Sequence, residues 1–394
     1  MNDMQIMRLL LAALCSASLS LAAQAADGHV KPFYAVTVGE LTGPPGSIIR
    51  IEPWDLHTAY WVNAYRILYR STGLDGQPIA VSAAVIIPQF PVPAGGRPII
   101  AWAHPTTGVA VKCAPSLSDS LVDDIPGITD MIPRGYVVVA TDYPGLGTAG
   151  PHPYLVGVSE GRAVLDSVRA VRSFAKAEAR NEFVVWGHSQ GGHAALWAGE
   201  LARSYAPELG LAGVAAAAPA TELARLFDRD DNETAGKILA SMALVSWSEV
   251  FGAPLQSVLF DKAIPVADRI GKHCIDSLGG ALGVEMAEQP LQKEFLKAEP
   301  TQTEPWKSLM ARNTPGGTST AAPLFIAQGS DDKIVRPGIT RDFVSRLCSA
   351  RERVTFAELP GVDHTMAART SASAAVAWMD ERFRGVKPLN TCVE

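Results

Sequence analysis

The segment Gly187-His188-Ser189-Gln190-Gly191 lies between two opposite kinds of pattern. Ahead of it, Phe183–Trp186 (FVVW) is a continuous apolar run of strand length, and behind it Gly191–Tyr205 carries the helical period. A chain passing from strand to helix over so few residues must turn sharply. Only small flanking residues permit the strained backbone that such a turn imposes on the residue at its apex. Here that residue is a serine, so its hydroxyl is left standing above the sheet with the Gln190 N–H beside it.

The same alternation runs through the chain. Ala80–Pro88, Pro98–His104, Tyr136–Asp142, Phe183–Gly187, Leu211–Ala217, Pro323–Gln328 and Val354–Leu359 are apolar without strict alternation, as expected of strands covered on both faces. Helical periods fill Gly157–Ala179, Gly191–Tyr205, Pro337–Cys348 and Ala367–Phe383. Strand and helix in turn imply a doubly wound, mostly parallel sheet, and the serine turn narrows this α/β class to the α/β-hydrolase fold. One interval breaks the rhythm. Residues 221–321 lose the strand signal and offer helices at Leu223–Phe227, Lys237–Phe251, Gln256–Phe260 and Leu291–Leu296. The expected division is a leader over 1–25, a first core part over 26–220, a helical cap or lid over 221–321 and a second core part over 322–394. Asn313–Thr320 (NTPGGTST) reads as the flexible return from cap to core.

Arg8 precedes an apolar run from Leu9 to Ala23 that closes in Ala23-Gln24-Ala25, the small-x-small pattern of a cleaved signal peptide. The run is too short to span a bilayer, which takes about 20 apolar residues. Cys15 invites a lipoprotein reading, but Leu14 is bulkier than a lipid-attachment site accepts. A secreted or periplasmic protein is therefore expected. Of the five cysteines, Cys113, Cys274, Cys348 and Cys392 then lie in an oxidising compartment, where an even number points to two disulfides. Spacing alone leaves all three pairings open and offers no zinc motif. The net charge of −6, with no basic stripe, argues against nucleic-acid binding.

A serine hydroxyl needs a base and an acid behind it, and in this fold the chain order is Ser, then Asp or Glu, then His. His364 is the only histidine beyond the inserted interval and follows the strand Val354–Leu359 directly, which makes it the candidate general base. His188 and His193 flank the serine, but the elbow aims their side chains elsewhere. The acid is sought after Pro323–Gln328, in Gly329-Ser330-Asp331-Asp332. Asp332 fits the usual spacing, three residues past the glycine and three before an aliphatic residue. Asp331 competes with it, while Asp363 is read as bracing its own loop. An oxyanion hole takes the Gln190 N–H plus a donor from His104-Pro105-Thr106-Thr107-Gly108. Pro105 lacks an N–H, which leaves Thr106 or Thr107.

These segments, with Cys113-Ala114-Pro115-Ser116 and Asp142-Tyr143-Pro144-Gly145-Leu146-Gly147, resemble the secretory lipases of the Candida antarctica lipase A type and their bacterial relatives. The resemblance spans nearly the whole mature core. It implies the triad Ser189, Asp332 and His364, a helical cap before the penultimate strand, and disulfides Cys113–Cys274 and Cys348–Cys392. Pro105 departs from the usual oxyanion loop. The activity so implied is hydrolysis of acyl esters through an acyl-enzyme, with no metal or organic cofactor. The expected partner is a small-molecule or lipid ester met by a monomer, with transient contact at lipid surfaces. The apolar stretch Leu239, Met242, Leu244, Val245, Trp247, Val250 and Phe251 could face lipid or form the core of the cap. A serine peptidase would want acidic residues placed for a substrate amine, and a mere binding protein would have lost a triad member. Neither trait is visible.

Overall fold

The computed structural model describes residues 32–56, 60–227, 234–275, 295–320 and 322–392. The leader expected over 1–25 lies outside the described residues. Nine strands form one sheet in the order β1-β2-β3-β5-β4-β6-β7-β8-β9. They are β1 (Ile48–Trp54), β2 (Val62–Thr72), β3 (Pro78–Pro88), β4 (Arg97–Ala103), β5 (Val137–Thr141), β6 (Ala179–His188), β7 (Gly210–Ala217), β8 (Leu324–Gly329) and β9 (Val354–Leu359). Pairings from β1 to β5 through β3 are antiparallel, and those from β5 through β4 to β9 are parallel. With β5 on one side of β4 and β6 on the other, successive connections diverge at β4, which opens a crevice at the C-terminal strand ends.

Side-chain alternation along the central strands feeds two cores. Ile99, Val139, Phe183, Val185 and Ile326 enter one, filled from outside by α2 (Gly157–Ser173), α3 (Gln190–Tyr205) and α8 (Pro337–Ser349). Ile100, Trp102, Val184, Trp186 and Phe325 enter the other, covered by α1 (Ile128–Met131) and α9 (Ala367–Phe383). Burial on both faces explains the unbroken apolar runs of the parallel strands.

Two strands escaped the sequence reading. β1 and β2 lie at the antiparallel edge, where Arg50, Glu52, Arg66 and Arg70 interrupt the apolar residues of half-exposed strands. α2 also stops short of Ala179. Its end at Phe174 leads into a 3-10 turn over Ala175–Ala177 and then into β6.

Between β7 and β8 run α4 (Leu223–Phe227), α5 (Thr234–Phe251), α6 (Ile264–Gly271) and α7 (Trp306–Asn313), which enclose a third apolar cluster with Tyr154, Leu155 and Val156. Gln256–Phe260 is not a helix: a 3-10 turn over Leu255–Ser257 gives way to Leu259, which bridges Leu296. Of the helix expected at Leu291–Leu296, residues 291–294 lie outside the described residues, and Leu296 is extended in that bridge. The apolar stretch of α5 is mainly interior. Met242, Leu244, Val245 and Trp247 are buried, and Phe251 alone of those seven is exposed. Nor is the return to the core loose. Gly316 N and Thr318 N donate to the Glu200 carboxylate at 2.6 and 2.9 Å, and Thr320 binds Glu352 through both N–H and hydroxyl.

Two disulfides brace this frame. Cys113–Cys274 ties the loop after β4 to the segment between β7 and β8, where Gly108 bridges Cys274 and Ile275 N donates to Thr107 O. Cys348–Cys392 ties α8 to the C-terminal tail.

Candidate active site

Ser189 occupies the break between β6 and α3 with φ 56° and ψ −115°. That region costs a non-glycine residue roughly 1–3 kcal/mol, and the surroundings hold it there. Ser189 N donates to Ala217 O, while His193 N and Ala220 N both donate to Ser189 O. The flanking glycines are steric necessities. A Cβ on Gly187 would collide with the Gly191 carbonyl, and one on Gly191 with the carbonyl of Ala103. The start of α3 thus lies directly against the end of β4, where the threonine loop begins.

Loops from three strand ends converge on the serine. His364, after β9, has Nε2 at 2.8 Å from Ser189 Oγ and Nδ1 at 2.8 Å from Asp332 Oδ2. Nδ1 facing a carboxylate must carry the proton, which leaves Nε2 to accept from the serine hydroxyl. Asp332, after β8, is buried and fully engaged. Oδ1 accepts from Ile334 N and Val335 N at 2.8 Å, and Oδ2 also accepts from Gln328 Nε2 at 3.0 Å. Asp331 points out to solvent, where Ser330 Oγ lies 2.9 Å from it. Asp363 is likewise exposed and binds Thr365 and Met366 N, which holds its carboxyl below the usual range.

The neighbouring histidines are occupied elsewhere. His188 donates from Nε2 to the His364 carbonyl at 2.9 Å, and burial together with the His364 ring pushes it down to about 3, so it stays neutral. His193 lies beneath the serine between Glu160 Oε2 and Asn313 O, each 2.7 Å away.

As the first residue of α3, Gln190 has a main-chain N–H without an acceptor inside its own helix. On the facing loop the Thr106 hydroxyl pairs with Tyr154 OH at 2.8 Å. The Thr107 hydroxyl is buried and has no hydrogen-bond partner among the described residues. This loop is carried from behind by the two motifs that stood out in the sequence. Asp142 Oδ1 accepts from Ser116 N at 2.8 Å, and Oδ2 takes the hydroxyls of Ser82 and Ser116. Burial pushes that carboxyl up to about 6 despite those donors. Tyr143 is core: it is fully buried, with its OH donating to His104 O.

Above Ser189 opens a pocket, continuous with solvent and walled mainly by Tyr154, Leu223, Phe227, Leu239, Ile334 and Val335. Sequence reasoning missed Tyr154 and Glu160. Glu160 did leave a signal, because its spacing puts a carboxylate on the helix face shared by Ala163 and Val164. Among the described residues no His, Cys, Asp and Glu cluster is arranged to hold a metal ion, and no helix is long and apolar enough to cross a membrane.

Residues 120–391 match the family model described as secretory lipase. "Lipase A" of Moesziomyces aphidis is 31% identical over 216 residues, which is 52% of this chain and 46% of that protein. "Lipase A" of Arthroderma benhamiae is 25% identical over 92% of this chain and 81% of its own length. The crystal structure of Candida antarctica lipase A superposes with a TM-score of 0.75 at 21% identity, covering 92% of this chain and 87% of that one.

Proposed function

The chain belongs to the secretory lipase family, and on that premise we propose that it is an exported carboxylic-ester hydrolase working through Ser189, His364 and Asp332. The observation that carries this reading is the unbroken series of 2.8 Å contacts from Ser189 Oγ through the His364 ring to Asp332, set at a strained strand-to-helix turn.

His364 Nε2 takes the hydroxyl proton as Ser189 Oγ attacks the ester carbonyl, and Asp332 stabilises the imidazolium that results. The tetrahedral oxyanion is received by the Gln190 N–H and by Thr107, whose unpaired buried hydroxyl is the kind of donor a reacting oxygen would satisfy. The intermediate collapses with His364 protonating the departing alcohol. Water activated by the same nitrogen then releases the acid from the acyl-enzyme. The apolar cavity above Ser189 receives the acyl chain under α4 and α5, which act as the cap. Two disulfides and the N-terminal leader pattern support export.

Phosphonylation of Ser189 by a fluorophosphonate with loss of fluoride, seen as the added mass of the phosphonyl group, with hydrolysis of p-nitrophenyl esters across a chain-length series and none of peptide amides, is the expected result. A well-folded protein that cleaves no ester refutes the reading. Thr107→Val, which keeps the shape and removes the hydroxyl, should lower kcat about 100-fold with KM little changed. Thr107→Ser should restore most of that rate. Equal kcat for the valine and serine variants would take Thr107 out of the oxyanion hole.

A further inference from the structure

One carboxylate, fully buried beneath the nucleophile, is not used in the chemistry described above. Glu160 sits in the first turn of α2 and collects three donors from three directions. Its Oε1 accepts from Gln190 Nε2 at 2.8 Å and from Leu155 N at 3.0 Å, and its Oε2 lies 2.7 Å from His193 Nδ1. Gln190 and His193 are three residues apart in α3, so they rise from the same face of its first turn. A single group therefore grips that turn at two points.

The grip continues on both sides. Gln190 Nε2 also lies 3.1 Å from His152 Nε2. The opposite nitrogen of His152 faces Pro144 O at 2.8 Å, so Nδ1 carries the proton and Nε2 accepts from Gln190. Burial pushes this imidazole's pKa down and keeps it in the neutral form that arrangement needs. On the other side His193 Nε2 donates to Asn313 O at 2.7 Å, and Trp197 Nε1 donates to the same carbonyl at 3.1 Å. Asn313 is the last residue of α7, and its Oδ1 accepts from Gly157 N at 3.2 Å.

We infer that Glu160 is a positioning residue for ester hydrolysis. It fixes the rotation of the first turn of α3, and with it the direction of the Gln190 N–H. Through His193 it references that turn to the seat of the inserted helices at Asn313. An N–H at a helix start has no choice of direction of its own, because the turn that carries it decides where it points. Holding the Gln190 and His193 side chains from below leaves the turn no freedom to roll about the helix axis, so the donor meets the oxyanion without first reorganising. Glu160 touches no reacting atom and acts through Gln190. This inference rests on the proposed oxyanion role of the Gln190 N–H.

The test compares wild type with Glu160→Gln and Gln190→Leu, using p-nitrophenyl butyrate and a trifluoromethyl ketone with a hydrocarbon tail. Ser189 Oγ adds to the ketone carbon, the hydroxyl proton passes to His364, and the carbonyl oxygen becomes an oxyanion in the hole. Both variants should lose about 10- to 100-fold in kcat, with KM within a few-fold, because a small misplacement of an aligned group costs that much. Ketone affinity should fall by the same factor, a proportionality that general loosening of the fold would not produce. Unchanged kcat in folded Glu160→Gln, or a fall in kcat with ketone affinity intact, overturns the inference. Should Glu160→Gln not fold, Gln190→Leu decides on the same criteria. Failure of the catalytic reading looks different, since wild type itself would then neither cleave the ester nor bind the ketone.

Discussion

Ser189→Ala and His364→Ala should each lower kcat by about 10⁵- to 10⁶-fold, and the double variant should be no worse than either single one. The reasoning starts from the two 2.8 Å contacts of the His364 ring. In the proposed mechanism attack and proton removal form one event, so losing either partner abolishes the same step and the second loss has nothing further to remove. No neighbouring imidazole can deputise. His188 is spent on the His364 carbonyl, and His193 on Glu160 and Asn313. Initial rates on p-nitrophenyl butyrate, with circular dichroism to certify the fold, give the answer. Multiplicative losses in the double variant would mean that serine and histidine act independently, and the triad reading would fall with that result.

How much of this was legible in the sequence depends on what each residue does. Val184, Trp186 and their counterparts in the parallel strands wrote themselves as continuous apolar runs because both faces of each strand are covered. β1 and β2 did not, since an antiparallel edge tolerates Arg50, Arg66 and Arg70 facing partly outward. Ser189 was readable because its turn demands glycines at fixed offsets, and the steric contacts of Gly187 and Gly191 are the physical content of that demand. Chain order and loop position picked out His364. Choosing between two adjacent aspartates used only a spacing habit, and burial is what separates them here. The grip of Glu160 on Gln190 and His193 joins residues 30 or more positions apart, and His193 carries it on to Asn313, 120 positions further along the chain. No local pattern encodes such a meeting, so it became visible only in three dimensions. The α5 stretch shows the opposite limit. Hydrophobicity alone could not tell a lipid-facing surface from an interior, and Met242, Leu244 and Trp247 turn out to fill the interior.

Adjacent aspartates also give the sharpest remaining contrast. Asp332→Asn should lower kcat by about 10⁴-fold, or about 5.4 kcal/mol, whereas Asp331→Asn should leave it within about twofold. Four donors converge on the Asp332 carboxylate: Ile334 N and Val335 N on Oδ1, Gln328 Nε2 and the His364 ring on Oδ2. An asparagine must turn its NH2 toward one of these pairs. Facing His364, the NH2 donates to Nδ1 and drives the imidazole proton to Nε2, which can then no longer accept from Ser189. Facing the loop, it opposes two main-chain N–H groups and strains the turn that presents the residue. In either pose no negative charge remains beside the imidazolium that the proposed attack by Ser189 would form. Asp331 has none of these ties, since its carboxylate meets the Ser330 hydroxyl at the surface. Steady-state kinetics of the two variants side by side check the assignment. A silent Asp332→Asn with a crippled Asp331→Asn would transfer the acid's role to the exposed neighbour and contradict the burial argument.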